Sequence, residues 1–318
     1  MRTSISCVAA LAACLLSAST SSADVSKAWQ AAKDNLPGMP AIGAVDVAAI
    51  AKLPAFSTLF ALARKEERDI DQAVSLLKSA CKLDITSIVD GVVIAGDPDG
   101  NDDDIVVFIQ LTLDRTKATA CMETMLKQVE KRKQITVKQD GIYTVASVGN
   151  DAAYFAWVGP NVVAFTASPD KKAKLEKHIG KQGLAKSGAG EMFAKLDTKA
   201  IAFGAFKVSK PIDDDVPFTK GYGNVSRSGN TLALAITAVA SDAKAATAFV
   251  AEANREIQRD MNKARTPATV KKLLGAIKVV ASGSDVSLAA SASDKDLLEA
   301  FLSTMKKRED KPAMPPSP

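Results

Sequence analysis

Four oxygen-bearing side chains alternate along one short stretch: Asp97, Asp99, Asn101 and Asp103, with Gly100 allowing a tight bend. Hard oxygen ligands at alternating positions suit Ca²⁺, which gathers roughly six to eight oxygens. The EF-hand spacing is not met, because the glycine stands fourth in the run and no Glu follows at the twelfth position. The plainer reading is a solvated acidic turn, to which Asp102 and Asp104 add charge. Weak calcium binding is therefore the only cofactor expectation, and otherwise none is expected.

The remaining chemistry is sparse. His178 is the only histidine, near the end of a Lys-rich helical stretch where a cation suits the helix dipole, and it reads as a surface residue. One histidine excludes multi-histidine zinc sites and leaves any Ser–His–Asp arrangement dependent on that residue, with no Gly-x-Ser-x-Gly elbow to accompany it. Ser-x-x-Lys recurs at Ser75, Ser168, Ser241 and Ser303, which reads as the chance of an Ala/Ser/Lys-rich chain, with Ser168 and Ser241 as helix caps. Gly221-Tyr222-Gly223 lacks the third glycine of a dinucleotide fingerprint and reads as a twisted or edge strand. No catalytic residue and no cofactor-binding residue is assigned.

The first residues fit an export leader. Met1-Arg2-Thr3 is positive, Ile5 to Ala18 is apolar, and Ser21-Ser22-Ala23 offers small residues to a signal peptidase, placing cleavage after Ala23. Leu11-Ala12-Ala13-Cys14 is the alternative, a lipobox with a lipid anchor on Cys14, although Leu15 and Leu16 continue the apolar run beyond it. An exported chain, periplasmic or secreted, is expected, with no transmembrane segment once the leader is removed. Cys7 and Cys14 belong to the leader, leaving Cys81 and Cys121. Two cysteines in an oxidising compartment favour a disulfide, against two buried thiols at helical core positions. Losing residues 1–23 removes one Arg and no acid, so the net charge of +5 becomes +4. The charges are interspersed and no basic stripe carries aromatics, so nucleic acid is not an expected partner.

With 47% hydrophobic and 24% charged residues, the chain has a globular composition. The acidic turn sits between two Val/Ile-rich runs, Val92–Gly96 and Ile105–Leu113, which reads as a β-hairpin. A helix opens near Thr116, with Ala118, Met122, Met125 and Val129 on one face. Before this block come a short helix from Trp29, a strand from Ala41 and helical stretches through Ala80. After it, strands at 135–138, 142–148, 152–158 and 162–167 alternate with turn dipeptides, and a helix closes near Ile179. The pattern then returns: a strand at 200–208, a hairpin of 221–227 with 231–240, a helix from Asp242, two more strands and a last helix at 295–305. Asp114-Arg-Thr-Lys-Ala-Thr-Ala-Cys-Met aligns with Ser241-Asp-Ala-Lys-Ala-Ala-Thr-Ala-Phe; the identities are few and Ala-dominated, so duplication and chance both stand.

The expected fold is therefore α+β, in two related halves, each an antiparallel sheet with helices packed on one face. The divisions are a leader at 1–23, a first half at 24–180, a Gly-rich linker at 181–190, a second half at 191–305 and a disordered tail at 306–318. The leader, the Asp46-Val47-Ala48-Ala49 strand-to-helix entry and the Cys81-Lys82-Leu83-Asp84 step before a Val-rich strand together resemble exported bacterial proteins of unassigned function. The resemblance carries no catalytic motif. The expected role is non-enzymatic: binding, scaffolding or interaction within the cell envelope, with an envelope protein as partner. An apolar-ligand carrier, or an enzyme of unrecognised class, is the alternative.

Overall fold

The computed structural model describes residues 25–97, 105–129, 134–166, 172–186, 188–210 and 217–309. The leader with Cys14, residues 98–104 of the acidic turn, and 310–318 of the tail lie outside the described residues.

The first half runs α1 (Ser26–Asn35), β1 (Ala41–Asp46), α2 (Val47–Ala51), α3 (Pro54–Glu66) and α4 (Arg68–Cys81). It continues through β2 (Val89–Gly96), β3 (Val106–Leu111), α5 (Arg115–Val129), β4 (Ile135–Asp140), β5 (Tyr143–Val148), β6 (Asp151–Gly159), β7 (Val162–Thr166) and α6 (Lys172–His178). The second half runs β8 (Ala202–Lys207), β9 (Phe218–Ser228), β10 (Thr231–Ala240), α7 (Ala243–Asn262), α8 (Ala268–Gly275), β11 (Lys278–Ser282), β12 (Asp285–Ser293) and α9 (Asp294–Glu309). The class is α+β, and the two halves share one antiparallel sheet of order β11-β12-β10-β9-β8-β1-β2-β3-β7-β6-β5-β4.

That order contains the same path twice, running outward from the centre. Each half lays down three successive neighbours, β1-β2-β3 or β8-β9-β10. A helix, α5 or α7, then carries the chain to the outer edge, and the following strands return inward to lie beside β3 or β10. The halves meet where β1 pairs antiparallel with β8, centred on Gly43 opposite Gly204. The repeat is clearest there: Ala41-Ile42-Gly43-Ala44-Val45 and Ala202-Phe203-Gly204-Ala205-Phe206 share three identities and the same alternation of buried and half-buried positions.

The helix openings align one residue away from the sequence-based match. Asp114 Oδ1 accepts from Lys117 N at 2.9 Å, and Asp242 Oδ1 accepts from Ala245 N at 2.8 Å. A short acceptor one step outside the first turn satisfies an unpaired N–H there. Asp242, not Ser241, is therefore the cap, and Asp-x-x-x-Ala-Thr-Ala is the shared motif of 114–120 and 242–248.

The crossover helices α5 and α7 lie on one face of the sheet, the front. Ala118, Cys121 and Met125 pack with Val92 and Val107, while Ala245, Phe249 and Ala253 pack with Phe206 and Ala238. The back face is covered over the centre by α1 and by the short 3-10 turns Leu184–Lys186 and Ala189–Lys195. Helices thus occupy both faces there. This explains the unbroken apolar runs: Val106 and Phe108 face back while Val107 and Ile109 face front, all buried. The Gly-rich stretch 180–190 packs as well as connects. Leu184 is fully buried, Gly183 N and Leu184 N donate to Leu36 O, and a Cβ on Gly190 would stand 1.9 Å from Leu184 O.

Candidate functional site

The front face of the central strands carries an apolar floor that the helices leave partly open. Residues directly opposite each other on antiparallel strands share a face. One such row runs Ile236, Gly223, Gly204, Gly43, Ile94, Val107 across six strands from β10 to β3. The next row toward the acidic turn is Ala238, Gly221, Phe206, Ala41, Gly96, and the row on the other side is Leu234, Val225, Ala202, Val45, Val92. None of these side chains is charged.

The two faces of β1 and β8 differ in cover. Ile42, Ala44, Phe203 and Ala205 point back and are buried, with the Trp29 ring 4.9 Å from both Phe193, tilted, and Phe203, edge-on. Ala41, Gly43, Val45, Ala202, Gly204 and Phe206 point front and are half-buried. Ile94 and Ile236, near the ends of the central row, are 38% and 37% exposed. Above this floor lies an open trough of about 470 Å³, bordered by Ala41, Gly43, Ile94, Gly96, Asp97, Ile105 and Phe206.

The glycines make the floor low. A Cβ on Gly43 would meet nothing closer than 3.9 Å, so the trough stands open above it. A Cβ on Gly204 would come 2.9 Å from Ile42 O, and one on Gly221 would strike the Phe206 ring at 2.7 Å. Gly204 is thus needed for the close approach of β1 and β8, and Gly221 seats Phe206. β9, which carries Gly221 and Gly223, lies inside the sheet and is not an edge strand.

A second depression, also about 470 Å³, lies beside α3 and α4 and is lined by Phe56, Phe60, Ser75, Lys78 and Asp84 among others. Its single carboxylate is committed. Asp84 accepts from Thr86 N at 2.9 Å and from Thr86 Oγ1 at 2.7 Å, capping a short turn. Arg64, on its rim, is paired with Asp71 at 2.6 Å.

Of the calcium candidates Asp97, Asp99, Asn101 and Asp103, the first lines the trough and the other three lie outside the described residues. Among the described residues no three His, Cys, Asp or Glu side chains cluster so as to hold a metal. Cys81 and Cys121 are joined in a disulfide with Cα atoms 5.2 Å apart, tying the end of α4 to α5. His178 is buried, 4% exposed, and not on the surface as its Lys-rich neighbourhood suggested. The helix there presents Leu175 and His178 to the protein and Lys177 to solvent, with Lys172 and Lys174 half-buried. Sequence reasoning missed the trough altogether. The signal that would have found it is the matched pair Ala41–Val45 and Ala202–Phe206, each with a mid-strand glycine.

Comparison with known proteins adds little to this geometry. No protein-family model matches the chain, and no curated protein matches it. Among solved structures, the Treponema protein TP0453 superposes in crystal form I with a TM-score of 0.42 at 9% identity, covering 85% of this chain and 94% of that one. Form III gives 0.44 at 9% identity over 86% and 97%, and form IV gives 0.43 at 10% over 86% and 98%. Likeness at this level says nothing about ligand or partner. No helix among the described residues is long and apolar enough to cross a membrane.

Proposed function

We propose that this is an exported, non-enzymatic binding protein whose ligand is a slender apolar molecule, of the kind an alkyl chain represents, seated in the front trough. The observation that carries this reading is the contrast between the two faces of β1 and β8: the back residues are fully buried, the front ones only half-buried beside an open trough. A volume near 470 Å³ lies within the usual range for small-molecule sites, roughly 300–1,000 Å³. Glycine at the centre of the floor lets a ligand lie against the backbone. Among the described residues lining the trough only Asp97 is charged, so recognition would rest on shape and on water released from apolar surface.

The test is titration of the purified protein with an alkyl-chain fluorophore, displaced by dodecanol. Saturable binding is expected. Gly43→Leu has room above the strand and fills the trough, so it should weaken binding about tenfold or more while leaving the melting temperature within about 3 °C. Val280→Asp, on the exposed face of the outer strand β11, should leave binding unchanged. Absence of saturable binding, or binding indifferent to Gly43→Leu, sinks the proposal. A partner-protein surface is the second reading, favoured by the exposure of Ile94 and Ile236 on the same row.

A further inference from the structure

The depression beside α3 and α4 has three walls, each traceable to a local feature of the chain. Glu67, in extended conformation, alone separates the two helices, so both arms leave from one residue. On the first arm Phe56 and Phe60 stand one turn apart, with ring centroids 5.7 Å apart and planes 21° from parallel. On the second, Val74 and Lys78 stand one turn apart and border the same cleft. Beyond α4 the chain turns back through Lys82 at φ +58°, a left-handed conformation that residues with a Cβ adopt only at a cost. That turn supplies the third wall, Leu83 and Asp84, and the Cys81–Cys121 disulfide pins the helix end from which it starts.

The cleft is therefore apolar within and charged on its lining. Arg64 is spent inside the protein, its Nε and Nη2 both donating to Asp71 Oδ1 at 2.9 and 2.6 Å. Lys78 and Asp84 border the same cleft and are not paired with each other; among the described residues neither has an ion-pair partner. The Asp84 carboxylate is held in place by Thr86, whose N and Oγ1 both donate to Oδ1, leaving Oδ2 open. One fixed carboxylate, one ammonium and an aromatic surface thus converge on one concavity. A ligand with a charge of each sign and an apolar body matches all three.

We infer that this cleft binds an apolar amino acid as its zwitterion, with the α-carboxylate on the Lys78 ammonium, the α-ammonium on Asp84 Oδ2, and the side chain over Phe56 and Phe60. Opposite charges on the lining orient the ligand and disfavour molecules that carry only one of them. Both Lys78 and Asp84 are exposed, so each pair contributes modestly and burial of the side chain supplies the rest. The inference is independent of what the trough binds.

The test is an NMR titration of the full chain with three probes that share a phenyl body: L-phenylalanine, 3-phenylpropionate, which lacks the ammonium, and 2-phenylethylamine, which lacks the carboxylate. L-Phenylalanine should saturate with a dissociation constant below about 1 mM and bind about three- to tenfold more tightly than either truncated probe. Lys78→Gln should weaken L-phenylalanine by about the same factor and leave 2-phenylethylamine unchanged. Asp84→Asn should weaken it likewise and leave 3-phenylpropionate unchanged. Both positions are exposed, and Asn keeps an oxygen for the Thr86 cap, so both variants should melt like the unaltered protein. Saturating dodecanol, directed at the trough, should displace no L-phenylalanine. No saturable binding of L-phenylalanine, equal binding of the three probes, binding indifferent to both variants, or displacement by dodecanol would overturn the inference.

Discussion

The two halves follow one path and are filled differently. In the first, β2, β3 and β7 are buried along almost their whole length, with α1 behind them and α4 and α5 in front. Their counterparts β9, β10 and β12 are mostly half-buried or exposed, because α7 covers the front and Ala233 and Ala235 look out at the back. The composition follows the layers: Val106-Val107-Phe108-Ile109 in one strand, Leu232-Ala233-Leu234-Ala235 in its counterpart. Where α5 carries Cys121 and a disulfide, α7 carries Phe249, edge-on to Phe218 at 4.7 Å. Connectivity can thus repeat while the number of covering layers, and with it the required side chains, does not.

Mutation of one core position in each half should show the largest effect. Phe108→Ala empties a fully buried site between two layers and should cost about 3–5 kcal/mol, whereas Leu234→Ala on the half-covered β10 should cost less than about 2. Chemical denaturation of both variants measures the contrast. Equal losses would mean that the second half is packed more tightly than its exposure indicates.

Next comes the disulfide. Reduction, or Cys81→Ser with Cys121→Ser, opens a loop spanning 40 positions and should cost roughly 2–4 kcal/mol, with the loss centred on α4 and α5. Hydrogen exchange resolved by segment would locate it. Equal loss of protection in β9 to β12 would show that the shared sheet unfolds as one unit.

The smallest effect belongs to the matched helix caps. Asp114→Ala and Asp242→Ala should each lower the melting temperature by a few degrees, and by similar amounts, since the two caps share one geometry. The Lys117 backbone N–H holds the Asp114 carboxyl below its ordinary range. A depressed carboxyl stabilises above its unfolded pKa, near 4, and that stability is lost as pH falls through the folded value. The penalty of Asp114→Ala should therefore shrink in acid, and melting curves at pH 7 and pH 2.5 would check it.

Much of the molecule is legible in its residues. Period-two apolar runs bounded by Asp140-Gly141, Gly149-Asn150 and Gly159-Pro160 place β4 to β7, and Cys81 and Cys121 pair, because local spacing and turn chemistry are written in neighbouring positions. Helix runs through Glu66 and resumes at Arg68 across the charged stretch 64–71, since charged residues are good helix formers when one face packs. The helix Ala268–Gly275 was not anticipated; Pro267 just before it marks its start only in hindsight.

The sequence by itself determined the elements, their class and the covalent tie, all of which depend on residues close in the chain or on a single pair. The tertiary structure decided what those elements surround. Pairing Gly43 with Gly204, 161 positions away, sets the glycine floor and joins two halves into one sheet. Folding α1 behind that sheet while α5 and α7 stand apart in front leaves one face covered and the other open. His178 turned inward for the same reason: a residue's face is fixed by what packs against its helix, and no local pattern of lysines records that.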